Sequence, residues 1–430
     1  MRVQKKPKVH VITMGCAKNI VDSEKLMAQL QLSDIEITPT IEGADIAVVN
    51  TCGFIGSAKE ESIDAIIEQV GLKAGGTIKK VFAMGCLAER YRNELAQEIP
   101  EVDRFFGSNE LPEVLDALGA EYRESLLGER LLAPQTHSAF LKISEGCDNP
   151  CSFCAIPLMR GKHVSRPMDD IVAETRLLAA KGVKEIVVIG QDTTYYGVDR
   201  DGIRRLPELL ERIADVEGID WVRLMYAYPA KFPLDVLDVM ARHPKICKYL
   251  DIPVQHISDE VLKSMRRGIS GRAMQELLQT IRERVPEIAL RTTLITGYPT
   301  ETAERFEELR TFVAEQEFHR LGVFTYSQEE GTGAFSLGDP VSPGEKERRR
   351  SAIMELQQTI SLRRNEALVG STVRVLIDRV DDGRYVGRTE HDAPEIDNEV
   401  YVESATPLQC GEFYSVDITD VSEYDLYGSV

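Results

Sequence analysis

Short apolar runs alternate with amphipathic, helix-like stretches along the first quarter of the chain. The strand-like runs are KVHVITM, ADIAVVN, KVFAMG and RFFGS, and the helical segments lie near 22–31, 56–70, 88–97 and 110–118. Such alternation is typical of a parallel sheet with crossover helices. We therefore predict an N-terminal parallel-sheet α/β domain over residues 1–125.

A second series of strand-like runs begins at residue 138. Its runs are SAFLKIS (138–144), KEIVVIGQ (184–191), WVRLMYAYP (221–229), KYLDIPVQ (248–255), IALRTTLITG (288–297) and RLGVFTYS (320–327). A helical stretch follows each run, which makes about six βα units and is too few to close an eight-fold barrel. The pattern predicts an open, partial (βα)6 barrel over residues 133–365.

The last helix of this series has a clear start signal in the sequence. Ser342 suits the N-cap, Pro343 suits the first helical position, and Glu345 would complete a capping box. The helical period ends near Gly370. Beyond it, short β-branched and aromatic runs separated by turn residues predict a small antiparallel β-barrel over residues 368–430.

Charge is unevenly distributed along the chain. The whole sequence has a formal net charge of −19, which disfavours nonspecific binding to nucleic acid. Residues 368–430 contain 4 Arg, no Lys and 14 Asp or Glu, so over half of the excess negative charge lies in the last seventh of the chain. We interpret this C-terminal segment as a distinct acidic unit.

The sequence predicts a cytoplasmic protein. No apolar run approaches the roughly 20 residues that a bilayer-spanning helix needs. The N-terminal residues MRVQKKPKVHVITMGC are basic but lack the apolar region and cleavage site of a signal peptide. In that compartment, 8 cysteines indicate metal ligation or catalysis and not a disulfide framework.

Three cysteines stand close together in EGCDNPCSFCAIP, with the spacing C-x3-C-x2-C: Cys147, Cys151 and Cys154. They follow the first strand of the second series, at the end where βα barrels bind ligands. Zinc and iron–sulfur sites usually take four protein ligands. A [4Fe–4S] cluster held by three cysteines leaves one iron open to a chelating molecule such as S-adenosylmethionine (SAM).

Two alternatives remain open at this loop. A zinc knuckle could take its fourth ligand from elsewhere, for example from His163. Phe153, inside the motif, could lie against a bound adenine or simply pack in the protein interior.

A second group of cysteines is dispersed: Cys16, Cys52 and Cys86. Each ends a predicted parallel strand beside a glycine, so their thiols should converge in one crevice, and nearby helix N-termini would favour thiolates. We predict a second three-cysteine cluster, the alternative being three separately buried cysteines. Cys247 and Cys410 share neither pattern and are interpreted as structural.

Several segments resemble the radical-SAM methylthiotransferases, and the resemblance covers essentially the whole chain, including a C-terminal TRAM-type barrel. They are MGCAKNIVDSE, KISEGCDNPCSFCAIPLMRGKHVSRP, GQDTTYYGVD, DIPVQHISDEVLKSMRRG and TYSQEEGTGAF. Within the family, QDTTYYG and PVQHISD are similar to the branch that modifies the twelfth small-subunit ribosomal protein. The tRNA-modifying branch, which acts on adenosine, is the alternative.

The resemblance implies two [4Fe–4S] clusters with different roles. Cys147, Cys151 and Cys154 would hold the catalytic radical-SAM cluster, and Cys16, Cys52 and Cys86 the auxiliary cluster that handles sulfur. One SAM would methylate sulfur at the auxiliary cluster. A second SAM would be cleaved to a radical that abstracts hydrogen from the β-carbon of one aspartate, which then takes up the methylthio group.

The resemblance also implies residues near SAM. Gly297 and Glu301 lie in LITGYPTE (294–301), which resembles the family's fifth-strand SAM motif, and Gly297 would let the backbone approach the ligand. Gln191 and Asp192 resemble positions near SAM or substrate. The alternative for Gly297 and Glu301 is a tight turn followed by an acidic residue in the first turn of a helix.

The implied partners are a basic ribosomal protein, possibly on the ribosome, and an external electron donor. The acidic C-terminal segment should repel the phosphate backbone of tRNA and suit a basic protein, although its charge could serve only solubility. A non-enzymatic iron–sulfur carrier or zinc module is the rival from another class. A carrier would need neither a six-unit barrel nor an open iron, and would normally saturate its clusters with four cysteines.

Overall fold

The computed structural model describes residues 6–126, 128–133 and 136–430. Residues 1–5, at the start of the predicted N-terminal domain, 127, between that domain and the predicted barrel, and 134 and 135, at the start of the predicted barrel, lie outside the described residues. Two compact units are formed, the first within 1–133, 144–148 and 154–177, and the second within 134–143, 149–153 and 178–430. The division into domains 1–125, 133–365 and 368–430 stays a prediction.

The strands are numbered in chain order. They are β1 (Lys8–Thr13), β2 (Glu36–Ile37), β3 (Ile46–Thr51), β4 (Lys80–Gly85), β5 (Arg104–Phe105), β6 (Ser138–Lys142), β7 (Ser144–Glu145), β8 (Val164–Ser165), β9 (Glu185–Ile189), β10 (Trp221–Leu224), β11 (Ile246–Asp251), β12 (Ala289–Thr296), β13 (Arg320–Thr325), β14 (Thr372–Asp381), β15 (Arg384–Arg388), β16 (Val400–Glu403), β17 (Phe413–Val421) and β18 (Leu426–Ser429).

The α-helices are numbered in the same way. They are α1 (Ala17–Leu32), α2 (Gly56–Ala74), α3 (Cys86–Arg90), α4 (Arg92–Glu98), α5 (Leu111–Leu118), α6 (Ile156–Arg160), α7 (Met168–Ala180), α8 (Val198–Asp201), α9 (Leu206–Ala214), α10 (Asp235–Arg242), α11 (Asp259–Ser264), α12 (Gly271–Arg284), α13 (Ala303–Gln316) and α14 (Pro343–Glu366). Where the chain is described, no helix is both long and apolar enough to cross a membrane.

The first unit is built on a parallel sheet with strand order β2-β1-β3-β4-β5. Alternate residues of its central strands enter two different cores, because successive strand side chains point to opposite faces. Val48 and Met84 pack with α1 and α5, and Val49 and Ala83 pack with α2. The predicted parallel-sheet α/β fold is therefore confirmed for this part of the chain.

The helical segment predicted near 88–97 is divided into two helices, α3 and α4. The helix is interrupted at Tyr91, whose backbone (φ −126°, ψ 29°) leaves the helical region between α3 and α4. Contacts to the end of β3 hold α3: Ala88 N donates to Thr51 Oγ1 at 3.4 Å, and Arg90 donates to the Gly53 carbonyl at 3.3 Å. These tertiary contacts fix the direction of α3, which the local helical pattern could not indicate.

The second unit contains an open parallel sheet with strand order β13-β12-β11-β10-β9-β6. This confirms the predicted open, partial barrel. The start of α14 was also predicted: Ser342 Oγ accepts the backbone N–H of Glu345 at 3.3 Å. The Glu345 carboxylate does not complete the capping box, because it accepts hydrogen bonds from Arg348 and Arg349.

The C-terminal strands close into a small barrel with strand order β14-β15-β16-β18-β17. Its strand pairs are antiparallel apart from β16 and β18, which run parallel. Val375, Ile377, Val400 and Val416 lie in its fully buried core. The predicted small barrel is confirmed, with one parallel pair that the sequence pattern did not indicate.

Buried ion pairs fix this barrel to the amino ends of the sheet strands in the second unit. Glu185, the first residue of β9, accepts from Arg223 of β10 and from Arg388 of β15, both at 2.8 Å. Arg388 also donates to Asp378 of β14 at 2.7 Å. The barrel therefore covers the end of the sheet opposite to the carboxyl ends of the strands.

The environment of Glu185 predicts a specific acid sensitivity. Burial alone would raise the pKa of this carboxyl, but Arg388 and Arg223 lower it to about 2 from an ordinary 4.5. Its ionised form stabilises the fold above pH 4.5, and this contribution falls as the pH drops toward 2. Between pH 4.5 and 3.5 we expect the unfolding free energy of the wild type to fall by about 1 kcal/mol more than that of Glu185→Gln.

Urea unfolding at the two pH values, followed by fluorescence, measures this difference. Trp221 is the only tryptophan of the chain, is 3% exposed, and lies edge-on to Phe413 of the barrel at 4.8 Å between ring centres. The same pH dependence in both proteins would contradict an ionised Glu185 as the source.

Candidate functional site

In the first unit, Cys16, Cys52 and Cys86 follow the carboxyl ends of neighbouring strands. Cys16 stands at the N-cap of α1 after β1, Cys52 directly follows β3, and Cys86 directly follows β4. β3 pairs with both β1 and β4, and the last residues before Cys52 and Cys86 are partners in register. The three thiols therefore come from the same edge of the sheet.

The loop that carries Cys16 lies directly against Cys52. Gly15 has φ +86°, and a Cβ placed on it would stand 2.5 Å from Cys52 Cβ and 2.9 Å from Cys52 Sγ. Only glycine permits both this backbone conformation and this approach. Asn19 joins the same loops, because its amide donates to the carbonyls of Met14 at 2.8 Å and Thr51 at 3.0 Å.

A buried arginine contacts this thiol group. Arg160, the last residue of α6, donates from Nε to Cys86 Sγ at 3.1 Å. Its Nη1 donates to Asp22 at 2.7 Å and to Glu145 at 3.3 Å, and its Nη2 donates to Asn19 Oδ1. All of these residues belong to the first unit.

The expectation that helix N-termini favour thiolates was wrong for two of these cysteines. Burial raises the pKa of Cys86 to about 11, and Arg160 offsets this only in part. Burial likewise raises the pKa of Cys52. Metal ligands must be deprotonated, so ligation by these two buried thiols has to release their protons.

The motif cysteines divide between the units. Cys147 and Cys154 fall in the first unit and Cys151 in the second. Within the first unit, Cys147 N donates to the Gly161 carbonyl at 3.2 Å, and the flanking strands β7 and β8 pair antiparallel.

Cys151 has two polar neighbours in the second unit. Its Sγ lies 3.6 Å from the hydroxyl of Tyr228 and accepts from Arg267 Nη1 at 3.4 Å. The guanidinium of Arg267 also lies 4.4 Å from the centre of the Tyr228 ring, a cation–π distance. Burial raises the pKa of the Tyr228 hydroxyl, which donates to the backbone carbonyl of Arg267 at 2.7 Å.

Gln191 and Asp192 follow the carboxyl end of β9, as the sequence predicted. The Asp192 carboxylate is buried and accepts from Thr194 N at 2.9 Å and from the side chain of Asn149 at 2.7 Å. Asn149 lies between Cys147 and Cys151 in sequence. Asp192 therefore connects the end of β9 to the cysteine-bearing loop of the second unit.

Gly297 and Glu301 lie together after β12. Gly297 has φ +74°, and a Cβ placed on it would stand 2.3 Å from Lys346 Cγ, so this side of the turn faces α14. The Glu301 carboxylate accepts hydrogen bonds from Gly297 N at 2.9 Å and from Arg349 at 2.6 Å. It also lies 3.1 Å from His256 Nε2. Glu301 therefore stabilises this turn from the protein interior.

Phe153 is partly buried against an apolar cluster of the second unit. That cluster includes Val261, Met265 and the edge-to-face pair of Tyr298 and Tyr326, whose ring centres are 5.2 Å apart. These contacts agree with the packing interpretation of Phe153, and its predicted position beside an adenine stays a prediction.

The donor chemistry of the thiol groups decides which metal they suit. His163, the fourth ligand of the zinc alternative, is buried with Nε2 3.1 Å from Ser165 Oγ. Among residues 6–126, 128–133 and 136–430, no three His, Cys, Asp or Glu side chains are grouped to hold a single ion. A [4Fe–4S] cluster places its ligands on different irons, and all-thiol donor sets suit it.

Three curated relatives of the chain carry the same name. The proteins named "Ribosomal protein uS12 methylthiotransferase RimO" from Cytophaga hutchinsonii and Flavobacterium johnsoniae are 52% and 53% identical to it, each covering 99% of this chain and 98% of the relative. The protein of the same name from Bacteroides thetaiotaomicron is 49% identical, covering 99% of both chains. The chain belongs to the RimO family of radical-SAM methylthiotransferases. This family is the ribosomal-protein branch and not the tRNA branch.

Domain models agree with a RimO-family architecture. The Radical SAM superfamily model matches residues 141–313, the TRAM domain model matches 369–430, and the model described as "Uncharacterized protein family UPF0004" matches 8–107. The region that the UPF0004 model matches contains Cys16, Cys52 and Cys86.

Solved structures show the same fold at low sequence identity. The radical S-adenosylmethionine methyltransferase TsrM from Kitasatospora setae matches with a TM-score of 0.56 at 15% identity, over 74% of this chain and 73% of TsrM. The cobalamin-dependent S-adenosylmethionine radical enzyme OxsB matches with a TM-score of 0.52 at 13% identity, over 83% of this chain and 58% of OxsB. At these identities the likeness concerns the fold alone.

Sequence reasoning missed four residues that contact the RimO-family cysteines or their loop: Asn149, Arg160, Tyr228 and Arg267. Asn149 and Arg160 stand in KISEGCDNPCSFCAIPLMRGKHVSRP, and Arg267 stands in DIPVQHISDEVLKSMRRG. These segments carried the family resemblance, so the polar residues within them could have been named as candidates for contact with the cysteines. Nothing in the sequence distinguished Tyr228.

Proposed function

We propose that this RimO-family enzyme adds a methylthio group to the β-carbon of an aspartate in the small-subunit ribosomal protein uS12. It uses SAM and two [4Fe–4S] clusters. Cys147, Cys151 and Cys154 hold the catalytic cluster, and the auxiliary cluster is held by Cys16, Cys52 and Cys86.

The observation that carries this proposal is the presence of two separate three-thiol groups in one chain of this family. One group comes from the carboxyl edge of the first-unit sheet, and the other is a single loop after β6. A binding module or electron carrier would require neither arrangement. The name shared by the relatives supplies the substrate.

When bound, the clusters supply the electron that cleaves SAM and the iron that carries sulfur. The protein's own residues orient these groups. Arg267 donates to Cys151, the Tyr228 hydroxyl lies beside the same thiol, and Asn149 ties the loop to Asp192. Glu301 holds the turn at Gly297 through the Gly297 N–H.

We propose Phe153, Gln191, Asp192, Gly297 and Glu301 as the residues around SAM. Gln191, Asp192 and Gly297 follow the carboxyl ends of β9 and β12, which is where ligands of βα barrels bind. Glu301 would act on the ligand through Gly297, because its carboxylate is already occupied by Gly297, Arg349 and His256.

The proposed partners are basic uS12, free or on the ribosome, and an external electron donor, in the cytoplasm. The acidic C-terminal barrel would favour uS12 over tRNA. Neutralising its exposed acids, for example Asp381 and Asp382, should weaken uS12 binding more at low salt than at high salt. If uS12 binding did not change over a salt series, the negative charge of the barrel would serve solubility alone.

A mass measurement tests the proposed reaction. The protein is reconstituted anaerobically with iron and sulfide, then incubated with SAM, dithionite and either uS12 or unmodified tRNA. We expect a gain of about 46 Da on an aspartate peptide of uS12, since CH3S replaces H.

Two controls make this result specific. uS12 with its modified aspartate changed to asparagine should show no gain, and tRNA should remain unmodified. A gain on tRNA alone would contradict the substrate. A fully loaded protein that forms neither product nor 5′-deoxyadenosine would contradict the reaction.

A further inference from the structure

We propose that Arg160 is a positioning residue of the auxiliary cluster, which joins its three cysteine loops and raises its reduction potential. The inference rests on the proposed auxiliary cluster at Cys16, Cys52 and Cys86. Nothing in the sequence pattern assigned a role to this arginine.

Arg160 is linked to all three cysteine loops, directly to one and through Asn19 to the other two. It contacts Cys86 directly, with Nε 3.1 Å from the thiol sulfur. It donates through Nη2 to Asn19 Oδ1, and the amide nitrogen of Asn19 donates to the carbonyls of Met14 and Thr51. Met14 precedes Cys16 by two residues, and Thr51 immediately precedes Cys52. Arg160 and Asn19 thus form a continuous hydrogen-bonded link across the crevice.

The charge of Arg160 is held in place by carboxylates on its other side. The residue is 4% exposed, and its Nη1 donates to Asp22 and Glu145. The planar guanidinium presents several donors in a fixed arrangement, which a lysine ammonium cannot reproduce. Its Nε–H is therefore directed at the cysteine sulfur while the carboxylates occupy Nη1.

This geometry has a predictable effect on an iron–sulfur cluster. Hydrogen bonds to the ligand sulfurs and nearby charge are among the factors that set cluster potentials. A reduced cluster carries one more negative charge, so a fixed cation and a donor at Cys86 stabilise it relative to the oxidised cluster. Removing Arg160 should therefore lower the reduction potential.

The same side chain links the auxiliary group to the segment flanking the catalytic group. Glu145 stands two residues before Cys147, and Arg160 stands six residues after Cys154. Both segments belong to the first unit with Cys86. The test must therefore measure the auxiliary cluster in a protein that lacks the catalytic cluster.

The test uses the full chain with Cys147, Cys151 and Cys154 changed to alanine as the parent. Arg160→Gln and Arg160→Lys are added to it, and iron, sulfide and the midpoint potential from an EPR-monitored titration are measured. We expect a parent with about four irons per chain. Arg160→Gln should shift the potential to more negative values, and Arg160→Lys should shift it less because it keeps the charge.

Arg92→Gln is the matched control for loss of one positive charge in the same unit. Arg92 pairs with Glu110 at 2.7 Å, on α4 and not on a cysteine loop. An unchanged potential in a fully loaded Arg160→Gln, or an equal shift in Arg92→Gln, would overturn the inference.

Failure of the proposed auxiliary cluster can be distinguished from failure of the proposed role of Arg160. A parent that binds no iron would contradict the proposed auxiliary cluster itself and not the role of Arg160 within it. Should Arg160→Gln fail to fold, Arg160→Lys decides: a negative shift or lost iron supports the inference, and parental values of both overturn it.

Discussion

Replacing Cys86 by alanine is expected to halve the iron content and abolish methylthio transfer while leaving SAM cleavage intact. Loss of one of three protein ligands leaves Cys16 and Cys52 unable to retain a cluster, so iron should fall from about eight to about four per chain. The catalytic group does not include Cys86, and the polar neighbours of Cys151, Tyr228 and Arg267, belong to the second unit. SAM cleavage should therefore continue when methylthio transfer is lost.

Iron and sulfide analysis, with quantification of 5′-deoxyadenosine and modified uS12, measures these effects on the reconstituted protein. Cys247→Ala is the matched control, because Cys247 is also buried but lies within β11. It should keep both the iron and the product. A Cys86→Ala protein with full iron content, or with wild-type product, would refute the proposed auxiliary cluster.

The arrangement of the dispersed cysteines could be predicted from the sequence because it follows from topology alone. Cys52 and Cys86 each end a β-branched or apolar run of parallel-strand type, and such runs end at a common edge. The structure places the residues before them, Thr51 and Gly85, in register. Spacing by one βα repeat was sufficient for this inference.

The electrostatics of the same site could not be predicted in this way. Helix N-termini suggested thiolates, yet burial raises the pKa of Cys86 to about 11. The depth of a crevice depends on which helices cover it, and local sequence does not contain that information. Arg160 is distant from Cys86 in sequence, so its contact with the thiol is a product of tertiary packing.

The acidic C-terminal segment illustrates a second limit. Its composition suggested a surface for a basic partner, or solubility alone. In the structure, some of its acids instead bind arginines within the second unit: Asp378 accepts from Arg388, and Asp392 accepts from Arg320 at 2.8 Å. Composition counts charges without showing which of them face the protein interior.

Replacing Arg388 by methionine should give the largest loss of stability among single changes at this barrel. Arg388 is 3% exposed and bonds to both Glu185 and Asp378. Removing it leaves Glu185 buried with only Arg223 as its cation, and breaking a buried ion pair from one side costs about 3–5 kcal/mol. Methionine keeps much of the apolar volume of the arginine side chain, so the loss would report the charge and not a cavity.

Urea unfolding followed by the fluorescence of Trp221 measures this loss at the interface where it arises, since Trp221 packs against Phe413 of the barrel. Arg379→Met is the matched control, because Arg379 lies on the neighbouring strand β14, is 46% exposed and pairs with Glu399. Exposed pairs contribute about 1 kcal/mol or less, so its midpoint should stay close to that of the wild type. Coincident midpoints for Arg388→Met and Arg379→Met would show that the buried network does not hold the barrel to the sheet, and that the apolar contacts around Trp221 do so instead.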